Sequence, residues 1–187
     1  MKYLIQMSGV PGSGKSTLAR ALGQELRAIV LDHDVTKSAI LSSGVSASEA
    51  GAASYQVIKD LTASILQQGV SVIIDSPCLY ADLVTFGLTQ ASKASASYRQ
   101  IECQLVDHKA LDARLRSRAT MPSQIKHLDQ MFSHAGNSSV LARDLILEWA
   151  ANMQHPPGDW LALDTSAPLS ECVTQAMAFI GLQKVDG

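Results

Sequence analysis

The stretch Gly9-Val10-Pro11-Gly12-Ser13-Gly14-Lys15-Ser16-Thr17 has the spacing G-x-x-x-x-G-K-[ST], which wraps a chain around a phosphate. Glycine lets the backbone approach an anion closely, and a helix that begins at the motif turns its N–H groups and positive dipole end toward it. Gly9, Pro11, Gly12, Ser13, Gly14 and Thr17 are therefore expected to cradle a nucleotide, with Lys15 reaching the β- and γ-phosphates and Ser16 ligating Mg²⁺. A dinucleotide-binding turn is the nearest competitor, because Asp32 could imitate the acid that binds ribose. That fingerprint is G-x-G-x-x-G, however, and after Gly12 and Gly14 its third place holds Thr17. The pair Lys15-Ser16 favours a nucleoside triphosphate.

Transfer of a phosphoryl group to a hydroxyl needs a group that positions or deprotonates the attacking oxygen. Asp34 is the candidate general base, with an ordinary helix N-cap as the rival reading. Asp32 is expected on the same side, assisting the metal, and His33 is expected to face elsewhere as a loop residue. Asp75 ends the aliphatic run Val72-Ile73-Ile74, an arrangement whose carboxylate can hold Mg²⁺; a turn residue is the alternative. Arg114 and Arg118 lie four apart on an expected helix, so they share a face and could neutralise charge on the transferred group, while Arg116 points away. The bland alternative is a solvated cationic helix end.

These residues require a scaffold of alternating strands and helices. An apolar run around Tyr3 to Met7 leads into the phosphate loop, and Leu18, Leu22 and Leu26 follow at helical spacing. Ala28 to Leu31 reads as a buried strand, followed by helices over about Val35 to Leu41 and Ala47 to Gln68. Val70 to Ile74 is a third strand, and a helix over Ala81 to Ala94 precedes a strand over Gln100 to Val106. A helix over Lys109 to Arg118, a polar segment to about Ser138, and a helix over Val140 to Met153 come next. Trp160 to Leu163 and Ser170 to Ile180 form the last strand and helix. Repeated βα units imply a parallel sheet covered on both faces, with ligands beyond the carboxyl ends of the strands. The residues from about 118 to 137 hold Pro122 and Gly136 and few large apolar side chains, which suggests a mobile lid.

At 187 residues and 47% hydrophobic content the chain reads as one domain, 1–187. A formal charge of −2 provides no global pull toward nucleic acid. Cys78, Cys103 and Cys172 lack metal-ligand spacing and read as core thiols in a reducing, cytoplasmic setting. No apolar run is long enough to span a bilayer, so no membrane association is expected.

Together, Gly9 to Thr17, Asp32-His33-Asp34, Val72 to Asp75, Leu111 to Arg118 and Leu163-Asp164-Thr165 resemble the small P-loop kinases. More narrowly, the set is similar to the AAA-type ATP-binding branch that includes polynucleotide 5′-hydroxyl kinases, chloramphenicol phosphotransferase and zeta-toxin-like kinases. The resemblance implies an α/β three-layer sandwich with a five-stranded parallel sheet in order 2-3-1-4-5. It implies Asp34 as general base, lid arginines at Arg114 and Arg118, and Thr165 beside the adenine. Where this branch often carries an arginine three residues after the base, this chain has Lys37, which meets an anion as a point charge.

The resulting expectation is a kinase that moves the γ-phosphate of Mg-ATP to a hydroxyl on a small molecule. Asp34, Lys37, Tyr55, Ser76 and Tyr80 would line the acceptor pocket. A 5′-hydroxyl polynucleotide kinase is the second reading within this class, and a non-catalytic ATP-binding regulatory module is the alternative from another class.

Overall fold

The computed structural model describes residues 1–133 and 139–181. In chain order the elements are β1 (Lys2–Ser8), α1 (Lys15–Leu26), β2 (Ile29–Asp32), α2 (His33–Ser42), α3 (Ala47–Gln67), β3 (Val72–Asp75) and α4 (Ala81–Lys93). They continue as β4 (Ala96–Gln104), α5 (His108–Ser117), β5 (Met131–Ser133), β6 (Ser139–Leu141), α6 (Ala142–Ala151), β7 (Leu161–Asp164) and α7 (Leu169–Ile180). Five strands form one parallel sheet in the order β2-β3-β1-β4-β7. Counted along the sheet-forming strands alone, this is the expected 2-3-1-4-5.

Strand β1 is central, flanked by β3 and β4, and its side chains alternate between two covered faces. Tyr3, Ile5 and Met7 pack with Leu18 and Leu22 of α1 and Val173, Met177 and Ile180 of α7. Leu4 points the other way, joining Val72 and Ile74, Ile58 and Leu66 of α3, and Ala91 of α4. A strand buried on both faces reads as a nearly continuous apolar run, which is why its alternation is invisible in sequence. Among the described residues no helix is long and apolar enough to cross a membrane. All three cysteines are buried free thiols, and burial pushes the Cys103 thiol up to about 12.

Several boundaries differ from expectation. Strand β4 starts at Ala96 rather than Gln100 because the full length of β1 supplies it with backbone partners, from Lys2 opposite Ala96 to Ser8 opposite Glu102. The polar start of β4 is tolerated because Tyr98 packs on Gly87 of α4, where a Cβ would come within 2.5 Å of the ring. At the other end Val106, expected in the strand, is 85% exposed. Strand β3 starts at Val72, two residues later than expected, where its pairing with β1 and β2 begins.

The segment expected to be polar and irregular contains an antiparallel pair, β5 with β6, and Val140 and Leu141 belong to β6 rather than to α6. Within it Ile125 and Leu128 are buried against Leu111 and Leu115 of α5 and Leu145 and Ile146 of α6. Residues 134–137 of the expected lid lie outside the described residues.

Candidate active site

The carboxyl ends of β1, β2 and β3 and the loop after β7 open into a cavity of about 1370 Å³. On its floor the phosphate loop turns through Gly9, Gly12 and Gly14, all at positive φ (126°, 85° and 93°). Gly9 could carry no side chain, since its Cβ would lie 2.4 Å from the Cys103 carbonyl oxygen. Helix α1 starts from Gly14 with no side-chain cap, whereas Asp32, Ser46 and Asp107 close the ends of α2, α3 and α5. The first N–H groups of α1 are thus free to face an anion. Pro11, Gly12, Gly14, Lys15, Ser16 and Thr17 line the cavity, and Lys15 Nζ donates to the Val10 carbonyl oxygen at 3.1 Å. Gly9 and Ser13 were expected to touch the nucleotide, but they lie behind the lining because they are packed into the turn itself.

Thr165 joins three elements at one end of the cavity. Its hydroxyl lies 2.7 Å from the Ser13 carbonyl oxygen and 3.0 Å from that of Gln104, and it accepts from Arg114 Nη1 at 3.3 Å. Arg114 Nη2 donates to the Thr165 carbonyl oxygen at 2.7 Å. Ala167, Leu169 and Cys172 extend this end as an apolar wall, suited to a flat base.

Asp75 is 3% exposed beside Ser16 and Lys15. Burial pushes its carboxyl above the usual range, against the Lys15 charge and a hydrogen bond from Ser16, and its Oδ2 has no protein partner. A buried carboxylate oxygen without a partner is costly unless a cation meets it. Ser16 and Asp75 therefore fit a Mg²⁺ ion whose other ligands would be phosphates and water. Asp32, also expected to serve the metal, is committed elsewhere: Oδ1 accepts from the backbone of Asp34 (2.9 Å) and Val35 (3.2 Å), and Oδ2 lies 3.5 Å from Arg20 Nη2. It is Asp32, and not Asp34, that caps α2.

Released from capping, Asp34 presents its carboxylate to the cavity. Gln124 Nε2 donates to Oδ2 at 2.8 Å, and His33 Nδ1 lies 3.8 Å from Oδ1, beyond hydrogen-bond distance. Burial alone would raise this carboxyl, but the interactions with His33, Gln124 and Lys15 outweigh it and hold the group below the ordinary carboxylate value. Contrary to expectation His33 is not a loop residue. It is the first residue of α2, 7% exposed, with Nε2 3.0 Å from Ser54 Oγ and its ring 4.2 Å from that of Tyr55.

The arginines divide. Arg114 is held by Thr165, whereas Arg118 has left the helix for an extended conformation at its C-cap, so the expected shared face does not exist. Arg118 lines the same cavity through a different path: Nη2 donates to the Ile125 carbonyl oxygen at 2.8 Å, and its buried Nε has no partner. Burial lowers its pKa while Asp34 and Asp32 oppose that. Arg116 turns outward to Asp112 and Asp129, as expected.

Of the acceptor residues, Lys37, Tyr55, Ser76 and Tyr80 all line the cavity. Ser76, however, is 1% exposed and its hydroxyl accepts from Gln6 Nε2 at 3.0 Å, so it ties β1 to β3 more than it faces a ligand. Gln124 and Ser123 were not anticipated. Ser123 Oγ sits 2.9 Å from Ser38 Oγ and 3.2 Å from the Asp34 carbonyl oxygen, binding the expected lid segment to α2. No local pattern marks either residue.

Comparison with known proteins bears on the family and the fold. The sequence profile of the AAA domain family matches residues 4–137, well over half of the chain. The chain belongs to that family. This AAA domain is similar in fold to a Chloroflexus aurantiacus j-10-fl protein whose kinase assignment is provisional (24% identity over 95% of this chain and 97% of that one, TM-score 0.69). It is also similar to a gluconokinase from Sinorhizobium meliloti 1021 (19% identity, 95% and 90% covered, TM-score 0.59). The APS kinase of Mycobacterium tuberculosis, in complex with AMPPNP and APS, resembles it as well (15% identity, 96% and 98% covered, TM-score 0.62). At these identities the likeness is one of fold: the AAA domain has the kinase-like P-loop architecture. No curated protein sequence matches the chain.

Proposed function

We propose that this AAA domain is an ATP-dependent phosphotransferase that phosphorylates a hydroxyl group of a small molecule, with Asp34 as general base. The observation that carries the reading is that the Asp34 carboxylate, held ionised by its surroundings, lines the same cavity as the uncapped start of α1 and Lys15. A module that only bound nucleotide would have no need of it. Lys15 and the α1 N-terminus would hold the phosphates, and Ser16 and Asp75 would hold Mg²⁺, which supplies charge neutralisation on them. The acceptor oxygen bonds to the γ-phosphorus as the bond to the β,γ-bridging oxygen breaks. Its proton passes to Asp34 and ADP leaves. Arg118, facing the same carboxylates, is suited to charge that builds up on the transferred group. Arg114 would act on the nucleotide side, through the Thr165 turn.

The test offers γ-labelled ATP and Mg²⁺ to the purified protein with a small-molecule extract or with a 5′-hydroxyl oligonucleotide. Label is expected in a small organic product and absent with Asp34→Asn or Lys15→Ala. Label on the oligonucleotide alone would replace the small-molecule acceptor by a polynucleotide end. Label released only as slow free phosphate would point to a regulatory module.

A further inference from the structure

The cations lining the cavity can be accounted for one at a time. Arg20 faces Asp32 at 3.5 Å and Lys59 pairs with Asp82 at 2.6 Å. Arg114 is engaged by Thr165, Arg118 by the Ile125 carbonyl and Lys15 by the Val10 carbonyl. Among the described residues of the lining, Lys37 is the cation without a hydrogen bond or ion pair. It lies three residues after Asp34 on α2, so the two share a face with Cβ atoms about 5–6 Å apart.

The same cavity has an aromatic wall, which begins where the His33 ring, next to Asp34 in the chain, lies 4.2 Å from that of Tyr55. Tyr55 of α3 meets Tyr80 edge to face, with ring centroids 5.4 Å apart and planes at 87°. Tyr80 remains 51% exposed while lining the cavity, so a ligand ring would gain by covering it. Gly51, one turn before Tyr55 on α3, also lines the cavity, and a Cβ added there would meet nothing within 4 Å. The wall beside Tyr55 has space for a flat group.

We propose that the acceptor is a small anionic alcohol built on a planar ring. Its hydroxyl meets Asp34, its single anionic group meets Lys37, and its ring lies against Tyr80 and Tyr55. The proposal rests on the phosphotransferase reading only for the hydroxyl. A ringless polyol would leave the Tyr80 face uncovered, and a polynucleotide needs several cations for its phosphates. One is free.

Saturation-transfer NMR and calorimetric titration would use the 187-residue chain with 4-(hydroxymethyl)benzoate, benzyl alcohol, gluconate and a 5′-hydroxyl oligonucleotide. The ring-bearing anion is expected to bind about tenfold more tightly than benzyl alcohol, since a charge-assisted contact contributes about that factor, and several-fold more tightly than gluconate, which has the charge but no ring to cover Tyr80. Lys37→Met should remove that advantage without changing benzyl alcohol binding. Tyr80→Ala should weaken both ring-bearing probes, and both variants should keep ATP affinity. Gluconate or the oligonucleotide binding as tightly, no binding of the ring-bearing anion, or Lys37→Met leaving its affinity unchanged would each overturn the proposal. Because the readout is binding, a ring-bearing anion that binds through Lys37 while the protein transfers phosphate to no hydroxyl would count against the proposed function and leave the ligand class standing.

Discussion

Gln124 Nε2 lies 2.8 Å from Asp34 Oδ2, although the two residues are ninety apart in sequence. The amide therefore orients the carboxylate from the segment between α5 and β5, while Gln124 Oε1 accepts from the Met121 backbone at 3.1 Å and fixes the amide in turn. Gln124→Ala is expected to lower kcat by about tenfold or more, the loss of a hydrogen bond to a charged group, with little effect on ATP affinity. Steady-state kinetics beside direct ATP titration would check this. An equal loss in ATP affinity would assign Gln124 to nucleotide binding instead.

Gly9→Ala places a methyl 2.4 Å from the Cys103 carbonyl oxygen in a backbone conformation, φ 126°, that alanine avoids. The expected cost is about 2–4 kcal/mol, from strain plus the clash. It is visible as a fall of several degrees in the thermal midpoint. An unchanged midpoint would mean that the turn opens without penalty.

Thr165→Val keeps the shape of the side chain and removes the hydroxyl shared by the Ser13 and Gln104 carbonyls and Arg114. A buried carbonyl left unpaired costs about 1–3 kcal/mol. Stability should fall by that order, and ATP should bind more weakly because the loop loses its tie to β7. Chemical denaturation and calorimetric titration would measure the two effects, and a stability loss with intact ATP affinity would separate the tie from the binding site.

Asp75→Asn should raise metal-free stability while abolishing transfer. Burial holds the Asp75 carboxyl above its unfolded value, so the folded state disfavours its charged form. The sign follows: the wild-type contribution is intact below the unfolded pKa and is lost as pH rises through the folded one. The variant should therefore exceed wild type near neutrality, and the gap should close in acid. Mg²⁺ with ATP should stabilise wild type more than the variant. A variant less stable than wild type near neutrality would mean that Lys15 and Ser16 already compensate the charge.

The phosphate loop and the parallel sheet were legible in sequence because they rest on local rules, whereas the strand order came only with the resemblance to the small P-loop kinases. Glycines sit where φ is positive, apolar runs end in polar residues at the strand ends, and Leu18 and Leu22 recur at helical spacing. Identity at single positions carried those features. Only the tertiary structure decided that Asp32 caps α2 and leaves the Asp34 carboxylate free of that task, since either residue type suits either role. It alone brought Gln124 to Asp34 and Arg114 to Thr165, fixed the start of β4 by its pairing with β1, and formed β5 with β6 in a segment of weak pattern. Each of these depends on partners far along the chain, and a contact across ninety residues leaves no periodicity in either one.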